Sequence, residues 1–373
     1  MNNTQIIAIV AVALVAIGGV TAAVLLMNGN NDGYDIKDAA DVDVVSAGEV
    51  NTITAASPTA TDLFCYLGYA EKLKCVSTSN TNPLIPAGVT TCGSYSKPDT
   101  DAISTANSDV TILDASGKNA RAAYTTLKDS GMKNIYLIFG SDDGVESIYT
   151  NIKIIGKIMG DEKKANDTVK EMKDRVSKLS ENVSNGTSKN VLILTGWGSI
   201  KVNASGEFTG LTDENLTKNV YAAGAGTTFL GLLKQTCKCD TPLEGSSWVP
   251  LDSDFISTKT GNVDLIIVLW TGAGPNENQV PLLVDAAKAN AAWSNCKAVQ
   301  DGNIVFMTQL TGSNLQRMTP YTIDDLRVVS VYIHPECYSK TSGGAAMTLA
   351  DLSKVSQPFC PSLMQGSGYR SLA

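Results

Sequence analysis

The chain has 373 residues, 18% charged and 43% hydrophobic, with 32 Gly and 12 Pro, which is ordinary globular usage and far from collagen-like or disordered composition. A formal net charge of −8 with no Lys/Arg-rich run excludes a nucleic-acid partner, which needs a clustered basic face. Once one apolar segment near the start is set aside, the remaining length suits two lobes better than a single core.

That segment, residues 6–27, contains no charge, and ~20 such residues are what a helix needs to cross the hydrocarbon core. Residues 1–5 hold no Lys or Arg, and the apolar run is longer than that of a secretory signal, so the segment is expected to be an uncleaved transmembrane anchor. The first cysteine is Cys65, which argues against a lipid anchor on an N-terminal cysteine. Residues 28–41 read as a flexible polar tether. Sequons at Asn166, Asn182, Asn185, Asn203 and Asn215, together with eight cysteines, point to an extracellular or periplasmic ectodomain with disulfides. Cys65 with Cys75 and Cys337 with Cys360 are candidate local pairs, whereas Cys237 and Cys239 are too close for an easy mutual bond. No Cys-x-x-Cys occurs and His334 is the single histidine, so the cysteines read as structural rather than as zinc ligands.

Beyond the tether, short apolar runs alternate with helical periodicity. Strands are expected at 51–56, 110–113, 134–139, 190–194, 263–269 and 302–307, and helices at 59–67, 120–130 and 228–234. Between the two halves, Ile148, Ile152, Ile155 and Ile158 make one apolar face of a helix over 145–159 that Gly160 stops. A second, charged amphipathic helix over 162–179 carries Ala165, Val169, Met172, Val176 and Leu179 on one side. The pattern is two α/β lobes with parallel sheets.

The order and spacing of several segments carry a resemblance. Residues 53–68, 89–103 and 108–113 in the first half, 147–160 in the middle, and 221–233 and 263–268 in the second half are similar to the substrate-binding proteins of ABC importers for iron-siderophore and cobalamin-type ligands. The resemblance spans roughly residues 42–338. It implies two Rossmann-like lobes joined by one long helix: a first lobe at 42–144, a connecting helix at 145–160 and a second lobe at 161–340, followed by a tail at 341–373. Thr236-Cys-Lys-Cys239 departs from the family pattern, and the tail matches nothing in it.

The same resemblance implies that an acid on the outer tip of each lobe seats on an ABC permease, itself coupled to an ATPase. Asp101 matches in the first lobe; in the second, Asp254 is the better match and Asp252 the runner-up. Two acids far apart on a rigid body give orientation as well as attraction. By residue type alone, each could instead be a helix-start acid favoured by the helix dipole.

A ligand is expected between the lobes, where loops at the carboxyl ends of the strands face each other. Ser57, Tyr95, Lys97, Trp197, Trp248, Trp270 and Arg317 are the candidate contacts. Large planar side chains suit a bulky ligand with an apolar face, Arg317 suits an anionic group, and residues 309–317 read as a loop. With one histidine the chain lacks the His-carboxylate set that bare zinc or manganese needs, so the expected ligand is a chelated metal: a ferric siderophore, cobalamin or haem. No Gly-x-Ser-x-Gly, Walker loop or His-Glu-x-x-His occurs, leaving little basis for an enzyme. A surface adhesion module on the same fold would keep the lobes and lose the acidic docking pair.

Overall fold

The computed structural model describes residues 34–140, 144–270, 275, 279–307 and 309–337, with the backbone at 363–364. The expected anchor over 6–27 and nearly all of the 341–373 tail lie outside the described residues, and among those residues no helix is long and apolar enough to cross a membrane.

The first lobe contains β1 (Ile53–Ala55), α1 (Pro58–Tyr66), β2 (Leu73–Val76), β3 (Thr90–Thr91), a hairpin of β4 (Gly93–Ser94) and β5 (Lys97–Pro98), α2 (Thr100–Ala106), β6 (Val110–Asp114), α3 (Ala120–Asp129) and β7 (Ile135–Ile138). Its sheet runs β3-β2-β1-β6-β7, every neighbouring pair parallel. Alternate side chains split between two cores: Ile53, Ile112 and Ile138 pack with α1, while Ala56, Leu113 and Leu137 pack with α2 and α3. Burial on both faces is what a parallel sheet requires, and it explains why these strands read as continuous apolar runs.

Passage to the second sheet is made by a pair of helices, α4 (Glu146–Met159) and α5 (Glu162–Asn182). The isoleucine face of α4 joins the α1 side of the first sheet, and α5 places Ala165, Val169, Met172 and Leu179 in the same continuous core. Between the helices, a side chain at Gly156 would bring its Cβ within 2.3 Å of the Ala165 Cβ, so the glycine permits their close approach. The expectation of a single connecting helix at 145–160 therefore widens to a helical hairpin.

The second lobe continues with β8 (Lys189–Leu194), β9 (Lys201–Val202), β10 (Phe208–Thr209), α6 (Asp213–Thr217), β11 (Val220–Ala223), α7 (Thr228–Cys237), β12 (Cys239–Asp240), β13 (Trp248–Leu251), α8 (Ser253–Lys259) and β14 (Leu265–Leu269). It closes with α9 (Val280–Ala289), α10 (Lys297–Gln300), β15 (Ile304–Met307), α11 (Gln309–Arg317), α12 (Pro320–Ile333) and β16 (Leu363–Met364). The sheet order is β13-β11-β8-β14-β15-β16, with β12 beside β8. Only β8, β14, β15 and β12 run parallel; β11 and β13 form an antiparallel edge. The segment 309–317, expected as a loop, is helical.

Cys65 and Cys75 lie on opposite faces of the first sheet, in separate cores, and are free thiols. Cys75 instead neighbours Cys92. The expected Cys65–Cys75 pair is therefore corrected, and Cys360 lies outside the described residues.

Candidate functional site

A helix end and a loop bring the lobes together. In the second lobe, Arg317 ends α11, the helix after β15; in the first, Ser79 lies in the loop past the carboxyl end of β2. The Arg317 guanidinium donates to the Ser79 carbonyl at 3.3 Å, across 238 residues of sequence. The corner that aims Arg317 is tightly tied: Thr322 donates through its hydroxyl to the Asn314 carbonyl at 2.7 Å, the Thr319 N–H donates to that hydroxyl at 2.8 Å, and Asn314 Nδ2 donates to Asp325 Oδ2 at 3.1 Å.

Behind Ser79 lies a buried polar group. Asp62, on α1, accepts from Asn82 Nδ2 through Oδ1 at 2.7 Å, while its Oδ2 and the Asn80 amide nitrogen are buried without a hydrogen-bond partner among the described residues. Burial pushes the Asp62 carboxyl up to about 6, against the pull of the Asn82 amide and the Arg317 guanidinium. Arg317 is itself held below its usual value by desolvation, with Asp62 and Tyr95 opposing. Buried polar groups are nearly always satisfied in folded proteins; two of the unsatisfied atoms among the described residues lie beside this inter-lobe arginine.

The rim is built from tight turns. Ser57 caps α1, its hydroxyl accepting from the Ala60 N–H at 3.0 Å, and Asp114 at the end of β6 accepts from the Ser116 N–H at 2.9 Å. A Cβ on Gly117 would sit 2.3 Å from the Tyr95 carbonyl, which locks the β4–β5 hairpin onto this turn. Tyr95 and Lys97 are exposed on that hairpin.

The structure thus gathers Tyr95 and Arg317 near one end of the inter-lobe seam, with Lys97 on the adjoining hairpin, and leaves the other candidates apart. Ser57 is only 1% exposed and is used as a cap, so it is not a ligand contact in this conformation. Trp197 is fully buried. Gly196 and Gly198 have φ of 103° and 62°, and a Cβ on Gly198 would come within 2.2 Å of the Asn215 carbonyl; this turn folds the indole under the sheet, 5.0 Å from the Trp293 ring. The expectation that Trp197 faces the cleft is corrected. Trp248 is half-buried on the antiparallel edge, opposite Ala223 and one step back from the carboxyl end of β8. Trp270 directly follows β14 but is 8% exposed, its ring 6.0 Å from both Phe208 and Phe306 in edge-on and tilted contacts; residues 271–274, which follow it, lie outside the described residues. The sequence reading missed Asp62, Asn80 and Asn82. The available signal for Asp62 was a single charge in an otherwise uncharged helix, α1, whose residues are buried from Pro58 to Cys65.

At the base of the seam, Arg175 of α5 pairs with Asp324 of α12 and reaches the Tyr66 hydroxyl of α1 at 3.4 Å, and the Tyr66 and Tyr321 rings meet edge-to-face at 5.1 Å. Three helices, one from the first lobe, one from the crossing and one from the second lobe, converge on this ion pair. A different concavity, about 820 Å³ and lined by Asn51, Lys72 and Thr90 among others, lies at the strand starts of the first lobe, away from the seam.

The docking candidates occupy matching positions. Asp99 caps α2, accepting from the Ala102 N–H at 3.0 Å, and Asp101 is exposed in the first turn. Asp252 caps α8, accepting from the Phe255 N–H at 2.7 Å, and Asp254 is exposed in the first turn.

The family model for periplasmic binding proteins matches residues 53–310. The chain belongs to the periplasmic binding protein family. The resemblance to importer substrate-binding proteins read from the sequence holds accordingly. Among curated proteins, an uncharacterized ABC transporter substrate-binding lipoprotein of Bacillus subtilis, YvrC, is 28% identical over 162 residues, 42% of this chain. The match spans about half, 51%, of that relative's length. Among solved structures, the TroA-like protein FepB of Veillonella parvula aligns with TM-score 0.62 at 15% identity, covering 89% of this chain and 97% of that one. The apo haem-binding protein RhuT of Roseiflexus sp. RS-1 aligns with TM-score 0.60 at 13% identity, covering 78% and 100%. The haem-binding protein HutB of Vibrio cholerae aligns with TM-score 0.56 at 19% identity, covering 76% and 99%. At these identities the likeness is one of fold: mixed α/β, in two lobes.

Proposed function

We propose that this protein is the substrate-capturing component of an ABC importer, holding a chelated metal compound between its lobes and presenting it to a permease with its ATPase. The observation that carries the reading is the seam at Arg317: the end of α11, the helix after β15, meets the loop past β2 there, over buried polar atoms that lack partners among the described residues. Open α/β sheets bind ligands at this edge. Arg317, Tyr95 and Lys97 supply a guanidinium, a phenol and an ammonium for an anionic, oxygen-rich ligand such as a ferric siderophore, a haem with its carboxylates, or a corrinoid. Trp248 and Trp270 contribute apolar surface only if the lobes part further. On ligand entry, the guanidinium exchanges the Ser79 carbonyl for the ligand's anion. The single histidine, remote from the seam, supports a chelate over a bare ion. Localisation outside the cell, with an anchor at 6–27, belongs to the same proposal; the description of the Bacillus relative as a lipoprotein supports a place at the outer face of the membrane, and the uncharged run at 6–27 supports the anchor.

Titrating the full chain with haem, cobalamin and several ferric siderophores, followed by tryptophan fluorescence, tests it. Micromolar or tighter binding of one of them, about −8 kcal/mol or better, supports the proposal. Binding of ferric ion alone, with none of the chelates, overturns it.

A further inference from the structure

At the end of α12 the chain forms a second cluster unrelated to the seam. His334 is 0% exposed, and its Nε2 lies 2.7 Å from the Cys237 carbonyl oxygen. A carbonyl only accepts, so Nε2 carries a proton. On the other side of the ring Nδ1 lies 3.1 Å from the Glu336 carboxylate, a nitrogen and an oxygen placed to share one positive centre, a proton or a metal ion. The Cys337 sulfur completes the group: His334 nitrogen, Glu336 oxygen and Cys337 sulfur all lie within 4.8 Å of one another.

We propose that His334 Nδ1, the Glu336 carboxylate and the Cys337 thiolate bind a borderline divalent transition-metal ion, of which zinc is the type. Imidazole, carboxylate and thiolate form the donor set such ions prefer. In a tetrahedral site with metal–ligand bonds of about 2.0 to 2.3 Å, donors stand about 3.3 to 3.8 Å apart; the His334–Glu336 separation of 3.1 Å is already close to this, and the sulfur lies within 4.8 Å of both. The Nε2–H bond to the Cys237 carbonyl is the outer contact that fixes a ligating imidazole in tautomer and orientation. The turn above the cluster is shaped to leave room: a Cβ on Gly186 would meet His334 Nδ1 at 2.9 Å and Cys337 Sγ at 3.2 Å. Glu336 is exposed and Cys337 half-exposed, so a fourth position opens to water or a further ligand. Binding releases the thiol proton.

The site is separate from the proposed ligand cleft. Arg317 lies just before α12 and the cluster just after it; the 14-residue helix between them spans about 21 Å at 1.5 Å per residue. Gly186 lies three residues before β8, so the metal would sit at the strand-start end of the second sheet. There it would tie α12 to α7, through the Cys237 carbonyl, and to the α5–β8 turn, which is a structural role rather than one in cargo capture.

The test is titration of the full chain, purified with reductant and stripped by chelator, with Zn²⁺ alone and with Co²⁺ alone. One equivalent of Zn²⁺ should bind and raise the melting temperature, and Co²⁺ should give a thiolate-to-cobalt charge-transfer band with intense tetrahedral visible absorption. Cys337→Ser should abolish that band and weaken Zn²⁺ binding at least ~10-fold. Glu336→Gln, on an exposed side chain that does not endanger folding, should also weaken it. Arg317→Ala should leave it unchanged. Wild-type affinity in both Cys337→Ser and Glu336→Gln would overturn the proposal. So would peptide mapping that finds Cys337 bonded to Cys360 in protein isolated without reductant.

Discussion

Asp101 and Asp254 occupy the same position in two related pieces of structure. Each stands two residues after an aspartate that caps a seven-residue helix, and each precedes by two an isoleucine, Ile103 or Ile256, buried at 0% exposure. The capping acids Asp99 and Asp252 are engaged with backbone N–H groups, whereas Asp101 and Asp254 point no hydrogen-bonding role at their own helix beyond its dipole. Within the proposed docking on a permease, this division of labour favours Asp254 over Asp252 as the second acid.

Reversal of Asp101 and Asp254 to Lys should therefore abolish ligand uptake in cells while leaving ligand affinity and melting temperature of the purified protein near wild type. Asp252→Ala should behave differently, costing about 1 kcal/mol of stability through the lost cap. Denaturant unfolding beside an uptake assay separates the two. If Asp254→Lys lowers affinity as much as uptake, these acids serve the cleft instead.

Asp62 gives a pH dependence with a definite sign. Its folded carboxyl is raised to about 6 from 3.8, so the folded state holds the proton more firmly than the unfolded chain does. The stabilisation is fully present below about pH 4 and is lost as pH rises through about 6, a swing on the order of 3 kcal/mol. Unfolding of wild type and Asp62→Asn across pH 4–7 should show the swing in the first and not in the second; parallel curves would place the unpartnered carboxylate in a more polar setting than described.

The Arg175–Asp324 pair at the base of the seam should limit hinge opening. Asp324→Ala leaves Arg175 and the Tyr66 hydroxyl short of a partner and should destabilise the fold by about 1–3 kcal/mol. Amide exchange should rise together in α1, α5 and α12. Exchange confined to α12 would mean that the pair serves the second lobe alone.

Trp197 supplies a check on its reassignment. As a core residue against Trp293, its replacement by Ala should cost about 3–5 kcal/mol, while Trp197→Phe should cost much less and leave ligand affinity unchanged. Loss of affinity in a stably folded Trp197→Phe protein would return it to the cleft.

The strands of both parallel sheets were legible because burial on two faces makes them uninterrupted apolar runs, such as Leu265–Leu269. The antiparallel edge was not: β11 exposes Tyr221 between buried neighbours, and β13 contains Pro250, acceptable only at a sheet edge. Helix α12 is rich in Val, Ile and Tyr, residues that favour strands in isolation, and it is helical because both its faces are packed. In the site, Tyr95 could be found from chemistry and loop position, and Arg317 from its chemistry alone, since its expected loop is a helix. Trp197 misled because its loop position says nothing about the glycine turn that inverts it, and Asp62 and Asn80 acquire significance only when the fold buries them without partners.

The central claim, capture of a metal chelate at the Arg317 seam, is tested most directly by equilibrium binding of the chelate that binds wild type most tightly, measured on wild type and Arg317→Ala side by side. The account predicts affinity at least ~10-fold weaker in Arg317→Ala, about 1.4 kcal/mol or more, with Asp101→Lys binding as wild type does. Equal affinity in wild type and a folded Arg317→Ala protein would contradict it.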